Sequence, residues 1–82
     1  MTQIRVDSGL WTTSLLPEGI VEKWLMPDGA FVEAGEPLAA IRIEDSLHEL
    51  CAPAEGWLSI DRKINSVVEP GAVIGHIGRE PA

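Results

Sequence analysis

Val32-Glu33-Ala34-Gly35-Glu36-Pro37-Leu38-Ala39-Ala40-Ile41 is answered, 36 residues later, by Val68-Glu69-Pro70-Gly71-Ala72-Val73-Ile74-Gly75-His76-Ile77. Each block runs from an apolar and an acidic residue through a glycine-bearing turn into a second apolar stretch. Working outward, Glu18-Gly19-Ile20-Val21 answers Glu55-Gly56-Trp57-Leu58 at an offset of 37, and one deletion between the blocks reconciles the two offsets. Two halves with the same order of strand and turn signals predict a quasi-two-fold structure in which each half supplies half of one shared core. Neither half is expected to fold alone, because about forty residues bury too little apolar surface.

Each half reads as short strands broken by turn chemistry. Ile4 to Val6, Ile20 to Leu25, Leu38 to Ile43, Leu47 to Cys51, Trp57 to Ile60 and Val73 to Ile77 are rich in β-branched, aromatic or aliphatic residues. Between them stand Pro27-Asp28-Gly29, Ala34-Gly35-Glu36-Pro37, Ala52-Pro53-Ala54-Glu55-Gly56 and Glu69-Pro70-Gly71. There proline sets φ and glycine supplies positive φ at little cost. The best helical competitor is Glu18 to Met26, but Gly19 within it, Pro27 after it and the alternation of Val21, Lys23 and Leu25 favour a strand. Strict alternation fails between Leu38 and Ile43, which predicts a bulge or burial of both faces. The chain reads as all-β.

Composition narrows the function classes. Eighty-two residues suit one domain, 1–82 with a core of about 4–78, and a chain of that length has no room for a deep internal active site. Thirteen acidic against six basic residues give a formal net charge of -7. Such a charge repels a nucleic-acid backbone and an anionic membrane surface alike. The single cysteine, Cys51, has no partner for an internal disulfide, and no basic-then-apolar leader precedes the first strand stretch. An intracellular, cytoplasmic setting is expected on those grounds.

The order and spacing of four segments resemble the lipoyl/biotinyl attachment-domain family, the carrier modules of 2-oxo acid dehydrogenase acyltransferase components and of biotin-dependent carboxylases. They are Glu18 to Leu25, Asp28 to Leu38, Ala52 to Gly56 and Val68 to Gly75, within a match that runs from about Ile4 to Gly78. They look more like the lipoyl branch than the biotinyl one. The resemblance implies a flattened barrel-sandwich hybrid of two four-stranded antiparallel sheets, with the cofactor lysine at the tip of a tight hairpin between the halves. That tip falls between Ile43 and Leu47. The lipoyl branch carries Asp-Lys-Ala there and the biotinyl branch Met-Lys-Met, whereas this chain reads Glu44-Asp45-Ser46. The attachment-equivalent position is Asp45, and a carboxylate cannot serve as the amine nucleophile of amide attachment.

The expectation is therefore a non-catalytic lipoyl-like domain without a modifiable lysine, a docking, assembly or accessory element of a 2-oxo acid dehydrogenase-type or related acyl-transfer system. It needs no cofactor and implies a protein partner. Two alternatives stay open: a true lipoyl or biotinyl carrier modified at an unconventional lysine, Lys63, and a structural adaptor of a larger assembly. Lys63, in Arg62-Lys63-Ile64, matches neither attachment signature, and its bland reading is a solvated lysine.

Other candidates are weaker. His48 and Cys51 are three apart, so in a strand they face opposite ways, and zinc needs three or four ligands; no metal site is expected. Cys51 is expected to be a small buried hydrophobe, and no oxyanion hole accompanies it, so an enzyme is not expected. Glu44 and Asp45 form an acidic tip that is either a solvated turn or a recognition patch, with Leu47 an exposed apolar residue beside it. Trp24 and Trp57 are expected in the core or half-buried. The cluster Leu10, Trp11, Leu15 and Leu16 either closes the end of the barrel or forms a partner surface.

Overall fold

The computed structural model describes residues 1–11 and 15–81. Eight strands make up the fold of these residues: β1 (Thr2–Arg5), β2 (Gly19–Trp24), β3 (Phe31–Val32), β4 (Pro37–Ile43), β5 (Ser46–Cys51), β6 (Gly56–Ile60), β7 (Val67–Val68) and β8 (Val73–Gly78). A single 3-10 turn, Ser8–Trp11, is the helical element among them. The strands form two sheets, β1-β8-β6-β3 and β5-β4-β2-β7, in which every pairing is antiparallel. The expected all-β, two-sheet architecture is present. All six predicted stretches lie on strands, with ends shifted so that Val6 and Leu25 fall just outside β1 and β2.

The internal repeat organises the whole topology. Advancing each strand by four places in the cycle of eight turns β1-β8-β6-β3 into β5-β4-β2-β7, so the halves exchange as a quasi-two-fold requires. Backbone detail follows the same operation. Gly35 at φ 85° answers Gly71 at φ 83°, and their N–H groups donate to Ala52 and Val6 carbonyls, both at 2.8 Å. Gly29 at φ 88° answers Asn65 at φ 73°, asparagine being the side chain that best tolerates that region. Their N–H groups reach the carbonyls of Leu58 at 2.7 Å and Val21 at 2.8 Å.

The sheets face each other across one core. Ile4, Val21, Val32, Leu38, Ile41, Leu58, Val68 and Ile74 are buried to 2% exposure or less, drawn from both halves. Each such side chain contributes about 1.5–3 kcal/mol relative to an exposed one. The broken alternation in β4 has both anticipated causes. Leu38, Ala39, Ala40 and Ile41 are all buried, and the register slips against β5 between Pro37 and Ala39 and against β2 between Val21 and Lys23. The second slip corrects the expectation that Val21, Lys23 and Leu25 share a face. Val21 is buried while Lys23 and Leu25 are exposed, because the irregularity turns Trp24 instead toward the core cluster.

Candidate functional site

Cα pairing of Ile43 with Ser46 leaves Glu44 and Asp45 as a two-residue turn between β4 and β5. A two-residue hairpin needs positive φ in its first central residue, and Glu44 supplies it at φ 54°, a region disfavoured for a residue with a Cβ. Its carboxylate compensates by reaching back, with Oε2 accepting the Leu15 backbone N–H at 2.9 Å. Asp45 and Ser46 are exposed at the tip. The sequence-predicted tip residues Glu44, Asp45 and Ser46 therefore stand together, and Leu47, 58% exposed, stands beside them.

Beneath the tip the barrel is closed by Trp11, whose ring lies against Gly19. A Cβ at Gly19 would come within 3.1 Å of Trp11 Cζ2, 3.1 Å of Ile43 Cγ1 and 3.2 Å of Ile41 Cγ2, so glycine is what admits the indole. Trp11 is only 8% exposed, so its burial matches the first of the two expectations for it, closure of the barrel end. Its Nε1 is buried and has no hydrogen-bond acceptor among the described residues. The loop cluster divides: Leu10 and Trp11 pack on the core, whereas Leu15 and Leu16 are 92% and 56% exposed. Thr12, Thr13 and Ser14 of that segment lie outside the described residues.

Register brings a further set of residues to the tip that sequence reasoning missed. Leu47 pairs with Arg42, Arg42 with Ile20 and Ile20 with Val67, a continuous row across β5, β4, β2 and β7. Leu16, Glu18, Gly19, Ile20, Arg42, Glu44 and Val67 line a groove of about 300 Å³ along it. Arg42 Nε is held by Glu22 Oε1 at 3.1 Å across the strands. The groove thus offers apolar side chains, one neutralised guanidinium and an acidic rim. That composition suits contact with another protein surface rather than chemistry on a small molecule.

Lys63 lies elsewhere, in the turn after β6. It is exposed, but β6 pairs with β8 and β3 rather than with β7, so Lys63 is not at the tip of a hairpin. Cys51 is exposed, against the expectation of burial. The reason is parity: Leu50 takes the inward position on edge strand β5, and its neighbour must face out. His48 and Cys51 fall on opposite faces of that strand, and no group of three or more His, Cys, Asp or Glu side chains is placed to hold a metal ion among the described residues. His76 Nδ1 lies 2.6 Å from Asp61 Oδ2 on the outer face of the other sheet. No described helix is long and apolar enough to cross a membrane.

No family model matches the chain, and no curated protein matches it. Among solved structures, the lipoyl domain of the 2-oxoglutarate dehydrogenase complex from Azotobacter vinelandii superposes with a TM-score of 0.71, covering 92% of this chain and 95% of that one at 21% identity. The chain has the lipoyl-domain fold.

Proposed function

We propose that this chain is a lipoyl-like domain whose hairpin tip carries no swinging arm, and that it acts by docking, as an assembly or accessory element of a 2-oxo acid dehydrogenase-type or related acyl-transfer system. The observation that carries the reading is the identity and setting of Asp45. It occupies an exposed two-residue turn between β4 and β5, where the lipoyl-like sequence pattern calls for lysine, and it offers a carboxylate where attachment needs an amine. No bound cofactor is required by this role, and the domain performs no catalysis of its own. The solved lipoyl domain of similar fold comes from a 2-oxoglutarate dehydrogenase complex, which supports a multienzyme partner.

In this reading the docking surface is the tip together with the row behind it. Asp45 and Glu44 supply directional charge, and Leu47, Leu16, Ile20 and Val67 supply apolar contact. Charge at such a rim sets approach and register, while the apolar residues contribute most of the residence time.

Intact mass of the protein purified from its native cells, with peptide mapping, tests the proposal. The expected mass is that of the unmodified chain. A lipoyl or biotinyl adduct on Lys63, or on any other residue, overturns it in favour of the carrier alternative.

A further inference from the structure

A second apolar groove lies at the opposite end of β2 from the tip. Trp24, Leu25, Met26, Pro27, Ile60, Lys63 and Ile64 line about 550 Å³ of open space there. The walls are built by the repeat: Leu25 N–H donates to the Leu38 carbonyl at 2.7 Å, Asn65 N–H to that of Val21 at 2.8 Å, and Trp24 Nε1 to that of Arg62 at 2.8 Å. Leu25 and Ile64 remain 39% and 52% exposed.

Lys63 is the sole charged residue lining this groove. Lys23 precedes the lining residue Trp24 in sequence, whereas Arg62 turns its guanidinium to the Val67 carbonyl at 3.5 Å. The nearby carboxylates are engaged: Asp28 Oδ1 accepts the Ile60 N–H at 2.8 Å, Asp61 faces His76, and Glu22 faces Arg42. Neither Lys63 nor Lys23 takes part in an ion pair among the described residues.

The chain also carries the complement of this surface. Leu47 and Glu49 share the outward face of β5, about 6.8 Å apart along the strand, and Asp45 precedes them in the turn. All three are exposed. Asp45 and Glu49 enter no ion pair among the described residues. An apolar anchor between two carboxylates matches an apolar trough edged by the Lys63 ammonium group. Because Gly19 lies against Ile43 beside the tip while Trp24 lies at the groove, the two surfaces sit at opposite ends of β2, about 17 Å apart.

We infer that the groove lined by Trp24, Leu25, Ile64 and Lys63 receives the Asp45-Leu47-Glu49 ridge of a second copy of this chain. The two surfaces differ, so the ridge of one copy meets the groove of the other; two such contacts made reciprocally close a two-fold dimer, and a single one repeated continues a chain. The net charge of -7 opposes association at a distance. At about 0.15 M salt the Debye length is about 8 Å, so the remote charges are screened while the contacting pairs are not.

Sedimentation velocity on the purified chain at about 0.15 M salt, from about 50 µM to about 1 mM, tests this in the range of weak transient contacts. The weight-average mass is expected to climb from the 8.9 kDa monomer as concentration rises. Lys63→Glu alone and Asp45→Lys with Glu49→Lys alone each remain monomeric, whereas an equimolar mixture of the two variants associates again, since every contact then joins opposite charges. All three positions are exposed, so unchanged thermal unfolding serves as the folding control. A wild-type chain that stays monomeric to 1 mM, association insensitive to Lys63→Glu, or a mixture that fails to reassociate would each overturn the inference. These outcomes are independent of the adduct measurement, because no foreign partner takes part.

Discussion

Leu15 and Glu44 are joined by a hydrogen bond from the Leu15 backbone N–H to Glu44 Oε2 at 2.9 Å, spanning 29 positions of sequence. It anchors the β1–β2 loop to the β4–β5 turn, so two exposed leucines and the acidic tip present one surface. Glu44→Gln preserves an acceptor and the turn, whereas Glu44→Gly relieves the positive φ and removes the acceptor. Faster amide exchange at Leu15 is expected in Glu44→Gly but not in Glu44→Gln. Global stability should change by less than about 1 kcal/mol in either variant, since strain relief and loss of an exposed bond oppose each other. Equal protection of Leu15 in both variants would show that the bond does not hold the loop.

Rebuilding the attachment signature tests how closely the turn follows that of a carrier. Glu44→Asp, Asp45→Lys and Ser46→Ala together place an exposed ammonium in the two-residue turn between paired strands. A lipoate ligase is expected to modify the triple variant and leave the wild-type chain untouched, read by intact mass. If the folded variant is refused, the approach to the tip must be shaped by other features, with the loop held by Glu44 as the first suspect.

The glycine and asparagine turns give a ranked stability series. A Cβ at Gly71, φ 83°, meets nothing within 4 Å, so Gly71→Ala carries only the backbone term, about 1–2 kcal/mol. Gly56, φ 148°, stands against the Gly78 carbonyl and Ile77 Cγ2, the latter 2.7 Å from a built Cβ. Gly56→Ala therefore adds a backbone clash to the conformational term, and a loss of more than about 3 kcal/mol is expected. Asn65→Gly should be neutral or mildly stabilising and Asn65→Ala should cost about 1 kcal/mol, because φ 73° is what the position demands. Urea denaturation of the four variants checks the order.

What was legible in the sequence is what turns and repetition encode. The paired Gly35 and Gly71 turns and the two Glu-Gly strand entries mark the halves, and the alternating apolar residues mark the longer strands. β3 and β7, at two residues each, are too short to show a period. Cys51 misled because chemistry suggested burial where strand parity dictates exposure. Trp11 and Leu15 could not be told apart in advance, since a loop has no period and only the space over Gly19 decides which apolar side chain is taken in. The Leu47-Arg42-Ile20-Val67 row depends on register between strands distant in sequence, which no local pattern carries.

The quasi-two-fold makes a prediction about connectivity. β8 pairs with β1 as β4 pairs with β5, with Thr2 opposite Ile77, but no turn joins β8 to β1. The symmetry operation places the end of β8 and the start of β1 where the other half has its Glu44-Asp45 turn. A short turn-forming linker from β8 into β1, with new ends opened between Glu44 and Asp45, should therefore give a permuted chain with the same two sheets. The cut removes a two-residue turn and separates Glu44 from its hairpin, so stability should fall by about 1–3 kcal/mol while cooperative unfolding is retained. Amide exchange is the deciding measurement: protection should persist in β2, β4, β6 and β8, the inner strands of the two sheets. Its loss in β4 and β2 alone would mean that the hairpin, and not the shared core, holds the second sheet together.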